Sequence, residues 1–484
     1  MQVEKITKDK IVSNSFWKLL ETIGVQAVQL IVTVLLARIL GPDEYGLMAL
    51  VYVAVNFLGL FINSSIASYL VYIKDIRKEA FLTALITNFL VSIILVLLLI
   101  ASADYIADYY RSPSLSLLLC VMSIVLPLNS ISSIYNAYAM KMSLFKALFF
   151  RNIIALPISG VVALTLALSG MGIWALVLQQ ITYSFLLCII VVFSIKINID
   201  GFWHIDRKII APMFKYGGMM LLTSFIAFIS DNISDLLIGK RINSKQLGYY
   251  NRGNYLPAPI AMIANNVLVS VFFPAFASYS GDKAELKEKL RKSIIYIYYI
   301  VLPLFLVLIL CSRPLIILLL SEKWLDIIPI VQILCAYYIF FPFLQVSSQL
   351  YLAEGYLKIR YYSEILKMIL TVSLLLLFVE KGIVVVALIR LFVNLLLVLY
   401  TAILNRKYVK YNIGEFVNDL KFPITIGMLM VCLVFPIQYL CVNNIVLLIL
   451  QVFVSFLVYL SLAWFFKIKE IYDMIQMIVV KFKR

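Results

Sequence analysis

Histidine is almost missing from this chain, since only 1 occurs among its 484 residues. A single imidazole, His204, cannot by itself build a histidine-based metal site or a Ser-His-Asp triad. The 6 cysteines show no CxxC spacing, which argues against a metal site or a disulfide frame. A glycine-rich phosphate loop is also absent, which argues against ATP hydrolysis. We therefore expect no metal, no cofactor and no enzymatic centre.

Charged residues are scarce as well, at 14% of the chain, and no long hydrophilic stretch is left for a soluble domain. Instead, 63% of the residues are hydrophobic and the mean hydropathy is +1.01. Apolar runs of about twenty residues match the ~30 Å hydrocarbon core of a bilayer. The sequence predicts an all-α polytopic membrane protein with about 14 transmembrane helices. They lie near 15–40, 46–72, 80–101, 114–138, 147–169, 172–195, 211–238, 249–277, 293–311, 327–352, 361–379, 382–404, 421–441 and 445–466.

The net charge of +16 could indicate a nucleic-acid partner, but its distribution argues against one. Most of the 41 lysines and arginines fall in every second break between the apolar runs. This is the positive-inside pattern, and it predicts that both termini are cytoplasmic. The basic side would then face anionic membrane lipids, which are an expected partner.

The two halves of the chain resemble each other. Residues 37–48, shifted by 202 residues, align with 239–250, so that Glu44 meets Gln246 and Gly46 meets Gly248. We therefore predict two six-helix bundles, related by an axis along the membrane normal, around a central cavity. The predicted boundaries are 1–200 for the first bundle, 201–410 for the second, 411–466 for two appended helices and 467–484 for an amphipathic basic cytoplasmic tail.

Polar residues at membrane depth are the candidate functional residues. In the first span Lys18, Gln26 and Gln29 share one helical face, with Glu21 beside Lys18, and the second span carries Asn56 and Asn63 on one face. Such stripes are either hydrogen-bonding contacts between helices or the wall of a wet cavity. The continuous stripes on two helices favour a cavity.

Charges inside spans need a stronger reason, because burying one at mid-bilayer costs at least about 2.5–3.5 kcal/mol. Asp231 and Asp235 lie one turn apart on the seventh span, and Arg252 and Arg390 lie deep in the eighth and twelfth. The alternative to a functional role is a purely structural ion pair between an aspartate and an arginine. Lys18 and Glu21 lie close enough to a helix end for their charged groups to snorkel to the membrane surface.

Several motifs resemble one family. The segments NSFWKLLETIGVQAVQ and LLARILGPDEYGLMAL resemble the opening of Wzx-type polysaccharide flippases. Residues 247–278, with Tyr250-Asn251-Arg252 and Phe273-Pro274, resemble the eighth helix of the branch that exports colanic and teichuronic acids. Residues 321–334 and the turn at Ala353-Glu354-Gly355 match further segments, so the resemblance runs through nearly the whole chain.

The resemblance implies a member of the multidrug/oligosaccharidyl-lipid/polysaccharide (MOP) superfamily in the bacterial cytoplasmic membrane. It implies two lobes around a cavity that opens alternately to either side. The implied cargo is an undecaprenyl-pyrophosphate-linked oligosaccharide, a unit of O-antigen, capsule or exopolysaccharide. Polysaccharide polymerase and chain-length machinery are further expected partners.

Depth and spacing, not the resemblance, select the candidate residues. We predict that cargo meets the cavity residues and that two carboxylates couple transport to an ion gradient. The cavity residues are Lys18, Glu21, Gln26, Gln29, Arg38, Asn56, Asn63, Arg252 and Arg390, and the coupling residues are Asp231 and Asp235.

Two other functions stay open. A multidrug exporter of the same superfamily would share the fold. A membrane-embedded polymerase or acyltransferase would need an exposed catalytic loop, but residues 102–113, the longest outer break, offer only Asp104, Asp108 and Arg111.

The charge asymmetry predicts that a reporter fused after Lys381 reads periplasmic and one fused after Arg484 reads cytoplasmic. Alkaline phosphatase and green fluorescent protein fusions at the two positions would measure this. The predicted topology would be wrong if both fusions report the same side.

Overall fold

The fold was analysed in a computed structural model, which describes residues 8–73, 76–195, 206–265, 276, 283–440, 442–466 and 468. Within this part of the chain all regular secondary structure is helical. The helices separate into two compact units, residues 1–248 and residues 249–484. The predicted all-α polytopic fold is confirmed, whereas the bundle boundaries at residues 200, 410 and 466 stay predictions.

The first unit is built from ten α-helices and one π-helical turn. They are α1 (Lys8–Ile39), α2 (Pro42–Leu60), the π turn (Phe61–Ile66), α3 (Ala67–Tyr72), α4 (Lys78–Tyr109), α5 (Ser114–Met122), α6 (Val125–Lys141), α7 (Phe145–Leu168), α8 (Trp174–Ser194), α9 (Arg207–Arg241) and α10 (Ser244–Tyr255), whose last residues belong to the second unit.

The second unit continues from α10 through helical residues 257–265. It then contains α11 (Lys283–Leu310), α12 (Ser312–Leu319), a 3-10 turn (Glu322–Ile327), α13 (Ile328–Ala353), α14 (Leu357–Phe378), a 3-10 turn (Val379–Lys381), α15 (Ile383–Val409), α16 (Ile413–Val434), a 3-10 turn (Phe435–Tyr439) and α17 (Asn444–Phe465).

Thirteen helical runs among the described residues are long and apolar enough to cross a membrane. They correspond in order to the predicted spans, except that the predicted span over 249–277 runs into residues 266–275, which lie outside the described part. Most of the predicted tail over 467–484 lies outside it as well. The run Lys283–Leu310 is one continuous helix that starts ten residues before the predicted span.

The second span is interrupted by the π turn Phe61–Ile66, which separates α2 from α3. A π turn places one extra residue in the helix and rotates the segment after it, and such turns occur often at functional sites. Asn63 lies inside this turn and is exposed. The hydropathy pattern does not predict this turn, because hydropathy does not depend on helix pitch.

Two glycines allow the chain to pack backbone against backbone in the first unit. A Cβ atom on Gly46 would lie 1.7 Å from the carbonyl oxygen of Ser244, and one on Gly248 would lie 1.9 Å from that of Pro42. Only glycine permits so close an approach. The contact is reciprocal, because Gly248 and Ser244 are the residues that align with Gly46 and Pro42 at the 202-residue offset.

Hydrogen bonds between neighbouring helices involve buried polar side chains in the first unit. The amide nitrogen of Asn88 on α4 donates to the carbonyl oxygen of Ser130 and to the hydroxyl of Ser133, both at 2.9 Å. Next to them Phe81 packs edge-on against Tyr135 and Tyr138 at 5.2 and 5.7 Å between ring centroids. Hydrogen bonds and ring contacts thus hold α4 on α6 where no water competes.

In the second unit a group of ion pairs fastens α16 to α11. Arg291 forms a two-pronged bond with Asp419, at 2.9 and 2.6 Å, and Lys287 contacts Glu415 at 2.7 Å. The hydroxyl of Tyr411 donates to Asp419 at 2.9 Å. Burial, followed by the nearby Asp419 carboxylate, raises the pKa of Tyr411, so this hydroxyl stays a donor. These contacts therefore attach α16 to α11.

The glycine contact predicts that Gly46→Ala destabilises the protein by about 1–3 kcal/mol, because a Cβ atom would push against backbone that cannot rotate away. The melting temperature of the purified protein would measure this. Gly414→Ala is the matched control, since nothing lies within 4 Å of a Cβ at that position. Equal melting temperatures for both variants would contradict the prediction.

Candidate functional site

The residues of the polar stripe predicted on α1 differ in their exposure, and the stripe stays a prediction. Gln29 is exposed and Gln26 is half-buried, while the side chain of Lys18 lies outside those described. Glu21 differs from the other stripe residues, because only 8% of its surface is exposed. Asn56 and Asn63, predicted to form a second stripe, are both exposed.

Glu21 belongs to a buried polar cluster that joins four helices of the first unit. The amide nitrogen of Asn152 on α7 donates to a carboxylate oxygen of Glu21 at 2.8 Å. The amide oxygen of Asn152 faces the guanidinium of Arg151 and the hydroxyl of Tyr183 on α8, both at 3.4 Å. Arg151 also donates to the amide oxygen of Asn136 on α6.

Arg151 is the residue that sequence reasoning missed. Its basic neighbours and its position close to a helix start placed it among the cytoplasmic charges. The structure instead puts it six residues into the helix Phe145–Leu168, with 7% of its surface exposed. A usable signal was present, because Arg151-Asn152 puts two strong hydrogen-bonding side chains inside an apolar run.

A second cluster surrounds Arg390 on α15 in the second unit. The guanidinium of Arg390 lies 3.5 Å from the hydroxyl of Tyr250 and 5.1 Å from the centroid of the Tyr337 ring. Among the residues that the structure describes, Arg390 forms no ion pair. Its positive charge is therefore held by ring faces and a hydroxyl, which stabilise a cation without neutralising it.

The rings around Arg390 are themselves fixed by hydrogen bonds and stacking. The hydroxyl of Tyr338 donates to the amide oxygen of Asn254 at 3.0 Å, and the ring of Tyr338 stacks on Phe305. The buried Asn394, one turn after Arg390, donates to the carbonyl oxygen of Tyr337 at 2.8 Å. These contacts keep the arginine in one place, as a binding site requires.

The remaining predicted charges are not gathered into either cluster. Arg252 is half-buried in the last turn of α10, and its guanidinium lies 5.0 Å from the ring centroid of Tyr255. Arg38 is exposed in the last turn of α1. Asp231 is exposed and Asp235 half-buried on α9. The predicted pairing of these aspartates with Arg252 stays a prediction.

The chain matches a known family over more than half of its length. Residues 35–329 match the family described as "Polysaccharide biosynthesis protein". The lipopolysaccharide biosynthesis protein WzxC of Escherichia coli (strain K12) is 23% identical over 338 residues, which are 68% of this chain and 67% of that protein. The teichuronic acid biosynthesis protein TuaB of Bacillus subtilis (strain 168) is 22% identical over 74% of each chain. The resemblance inferred from the motifs is confirmed.

Solved transporter structures share the fold. "Lipid II flippase MurJ, inward closed conformation" superposes with a TM-score of 0.75 at 17% identity, covering 96% of this chain and 100% of that one. The outward-facing conformation of a multidrug resistance MATE family transporter of the MOP superfamily superposes with a TM-score of 0.53 at 15% identity, covering 83% and 95%. Both are transport proteins, and the likeness shows that this chain has their fold.

The exposed faces of α1 predict where water reaches the helix. Gln29 and Ile31 are both exposed. However, side chains two positions apart in a helix point in nearly opposite directions. In a variant without native cysteines, Gln29→Cys should react several-fold faster with a membrane-impermeant maleimide than Ile31→Cys, because thiols ionise and react in water and not in lipid. Gln26→Cys should resemble Gln29→Cys. Equal rates at all three positions would contradict a solvated stripe.

Proposed function

Because this chain belongs to the family of polysaccharide biosynthesis proteins, we propose that it is a flippase for a lipid-linked oligosaccharide. The cargo would be an undecaprenyl-pyrophosphate-linked unit of O-antigen, capsule or exopolysaccharide, carried across the bacterial cytoplasmic membrane. The observation that carries the proposal in this chain is Arg390, a fixed cation in a membrane-spanning helix with no carboxylate to neutralise it among the described residues.

The chemistry of the cargo explains such a cation. A pyrophosphate is an anion, and it cannot enter an apolar interior without a compensating charge. Arginine suits phosphate because its planar fork donates two hydrogen bonds at once. Arg390 lies seven residues into α15, about 10 Å along the helix at 1.5 Å per residue. An unneutralised charge at that depth marks a ligand path by default.

The tyrosines and asparagines around Arg390 suit the sugar part of the cargo. Sugars have hydroxyl groups that need hydrogen-bonding partners and apolar faces that pack on aromatic rings. Tyr250, Tyr337 and Tyr338 supply both ring faces and hydroxyls within one cluster. The prenyl tail needs no polar wall and can remain in the lipid.

Transport would proceed by alternating access, with both termini in the cytoplasm and the cargo moving from the inner to the outer leaflet. Arg38, Arg252 and the stripe residues of α1 and α2 would contact the cargo at other stages. Asp231 and Asp235 would couple this movement to an ion gradient by exchanging a proton or sodium ion. A polysaccharide polymerase would take over the delivered units.

Replacing Arg390 by Gln should lower surface polysaccharide more than about tenfold, since one charge-assisted contact to phosphate is worth about 1.5–3 kcal/mol. Arg390→Lys should retain part of the export, because it keeps the charge and loses the fork. The measurement is surface polysaccharide in a strain that lacks the native gene, corrected for the amount of variant in the membrane.

Arg313→Gln is the matched control, because Arg313 is exposed at the start of α12 and should export normally. Arg252→Gln would be compared in the same strain. Full export by Arg390→Gln at normal abundance would remove Arg390 from the mechanism. A drug exporter would be favoured instead if the strain that lacks the gene keeps its surface polysaccharide and becomes sensitive to drugs.

A further inference from the structure

Five cations lie together on the second unit, where the start of α14 meets the end of α15. Lys358 and Arg360 lie in the first turn of α14, Arg406 and Lys407 lie in the last turn of α15, and Lys410 caps α15. All five side chains are exposed, and we call them the cation cluster. We propose that the cation cluster and the apolar face of α15 that leads to it bind one anionic phospholipid.

Ring contacts and hydrogen bonds fix these helix ends to each other and to α13. The rings of Tyr356, just before α14, and Tyr408 lie 4.7 Å apart between centroids. The hydroxyl of Tyr351, in the last turn of α13, donates to the amide oxygen of Asn405 at 2.6 Å. The amide nitrogen of Asn405 donates to the hydroxyl of Ser347 at 2.9 Å. The cation cluster therefore has a rigid base, which lowers the entropy cost of binding a ligand.

The charge of the cation cluster is not neutralised within the described part of the second unit. None of its five members pairs with a carboxylate there, because the carboxylates on α14 and α16 have other partners. These are the pairs Glu364–Lys367, Glu415–Lys287 and Asp419–Arg291. The dipoles of α14 and α15 bring about half a positive and about half a negative charge to this place, so they cancel. The cation cluster therefore attracts an anion from outside the chain.

An exposed apolar stripe on α15 leads up to the cations. It consists of Leu388, Phe392, Leu395, Leu399 and Ile403. Steps of three and four residues keep them on one helical face, and Arg406 and Lys410 continue the same steps. From Phe392 to Ile403 the stripe rises about 16 Å at about 1.5 Å per residue. One leaflet of the hydrocarbon core is ~15 Å deep, so the stripe matches the length of a lipid acyl chain.

The neighbouring helix α14 has the same arrangement in the opposite chain direction. Lys358, Tyr362, Ile369 and Leu376 are exposed and share one face of α14, which packs beside α15. Tyr361 next to them is exposed as well. Tyrosine rings in membrane proteins prefer the level of the lipid head groups. We therefore expect the cation cluster to lie at the level of the lipid phosphates.

These features favour a phospholipid over other anions. A soluble phosphate would use the cations and leave the apolar stripe without a partner, whereas a phospholipid has both a phosphate and acyl chains. The surface is also distinct from the cluster around Arg390. Because Arg390 lies two positions before Phe392, it points to nearly the opposite side of α15. Phospholipid binding here does not depend on the identity of the cargo.

Native mass spectrometry of the purified full-length protein measures the binding. The protein is titrated in detergent with phosphatidylglycerol, and with phosphatidylcholine of the same acyl chains as the neutral control. We expect phosphatidylglycerol to bind at least about tenfold more tightly, because every cation at a membrane surface adds to the attraction of an anionic lipid. Equal binding of both lipids would overturn the proposal.

Two double variants remove the same two side chains at different places. Arg406→Gln combined with Lys407→Gln should raise the dissociation constant of phosphatidylglycerol about tenfold or more. Arg207→Gln combined with Lys208→Gln is the matched control and should change it less than about twofold. Arg207 and Lys208 are also adjacent and exposed, and they lie on the side predicted to be cytoplasmic. Equal effects of the two variants would show that overall charge attracts the lipid, which would contradict a defined site.

A soluble head group separates the lipid from a simple phosphate ligand. The probe sn-glycerol 3-phosphate carries the phosphate without acyl chains. Even at about a hundredfold excess it should leave phosphatidylglycerol bound, because it cannot cover the apolar stripe. Complete displacement would identify a site for soluble phosphates and overturn the assignment to a lipid.

Photolabelling decides the question in the native protein if the Arg406 variant is not produced. Phosphatidylglycerol with a diazirine in one acyl chain is irradiated with the protein in nanodiscs, and labelled peptides are quantified. Labelling should be several-fold higher in residues 388–403 than around Phe453 and Phe456, which are exposed on α17. The same diazirine on phosphatidylcholine should give no such enrichment. Even labelling of both helices by phosphatidylglycerol would overturn the proposal.

Discussion

The absence of water in the bilayer is the constraint from which the architecture follows. Every backbone and side-chain polar group at membrane depth must find its partner within the protein. The amide nitrogen of Asn88 finds its partners in Ser130 and Ser133 on α6. The amide nitrogen of Asn394 on α15 finds its partner in the carbonyl oxygen of Tyr337 on α13. The polar groups therefore occur in clusters that span several helices. A charge without an opposite partner among the described residues, such as Arg390, needs a separate explanation.

The same constraint explains the use of glycine. Helices in lipid gain little from burying apolar side chains, because lipid tails are equally apolar, so they associate by close packing of backbones. Gly46 and Gly248 are the sharpest case, since a Cβ on either would overlap a carbonyl oxygen of the other segment. Reciprocal contact between residues 202 positions apart is what a two-fold relation between two repeated segments produces. The contact thus supports the internal repeat that the sequence alignment suggested.

The sequence predicted the helices well and the polar contacts poorly, for a physical reason. The length of an apolar run reflects the thickness of the bilayer, so the order and approximate limits of the spans could be predicted from the amino-acid sequence alone. The partners of Glu21 could not, because Asn136, Arg151, Asn152 and Tyr183 come from three other helices and meet only after packing. For the same reason Arg151 was assigned to the cytoplasmic charges, and the π turn at Asn63 was invisible to a pattern based on hydropathy.

Arg151 and Arg390 show how the surroundings of one residue type can give it two roles. Arg151 sits in a cluster that already contains the carboxylate of Glu21, so its charge is balanced inside the first unit. Arg390 is surrounded by Tyr250, Tyr337 and Tyr338, which orient a cation but bring no negative charge. Its charge must be balanced by something that arrives, and an anionic lipid head group is the partner that this imbalance suits. A buried arginine that is balanced by a carboxylate joins helices to each other, whereas an arginine with no opposite charge among the described residues suits an anionic ligand, as the proposed flippase function requires.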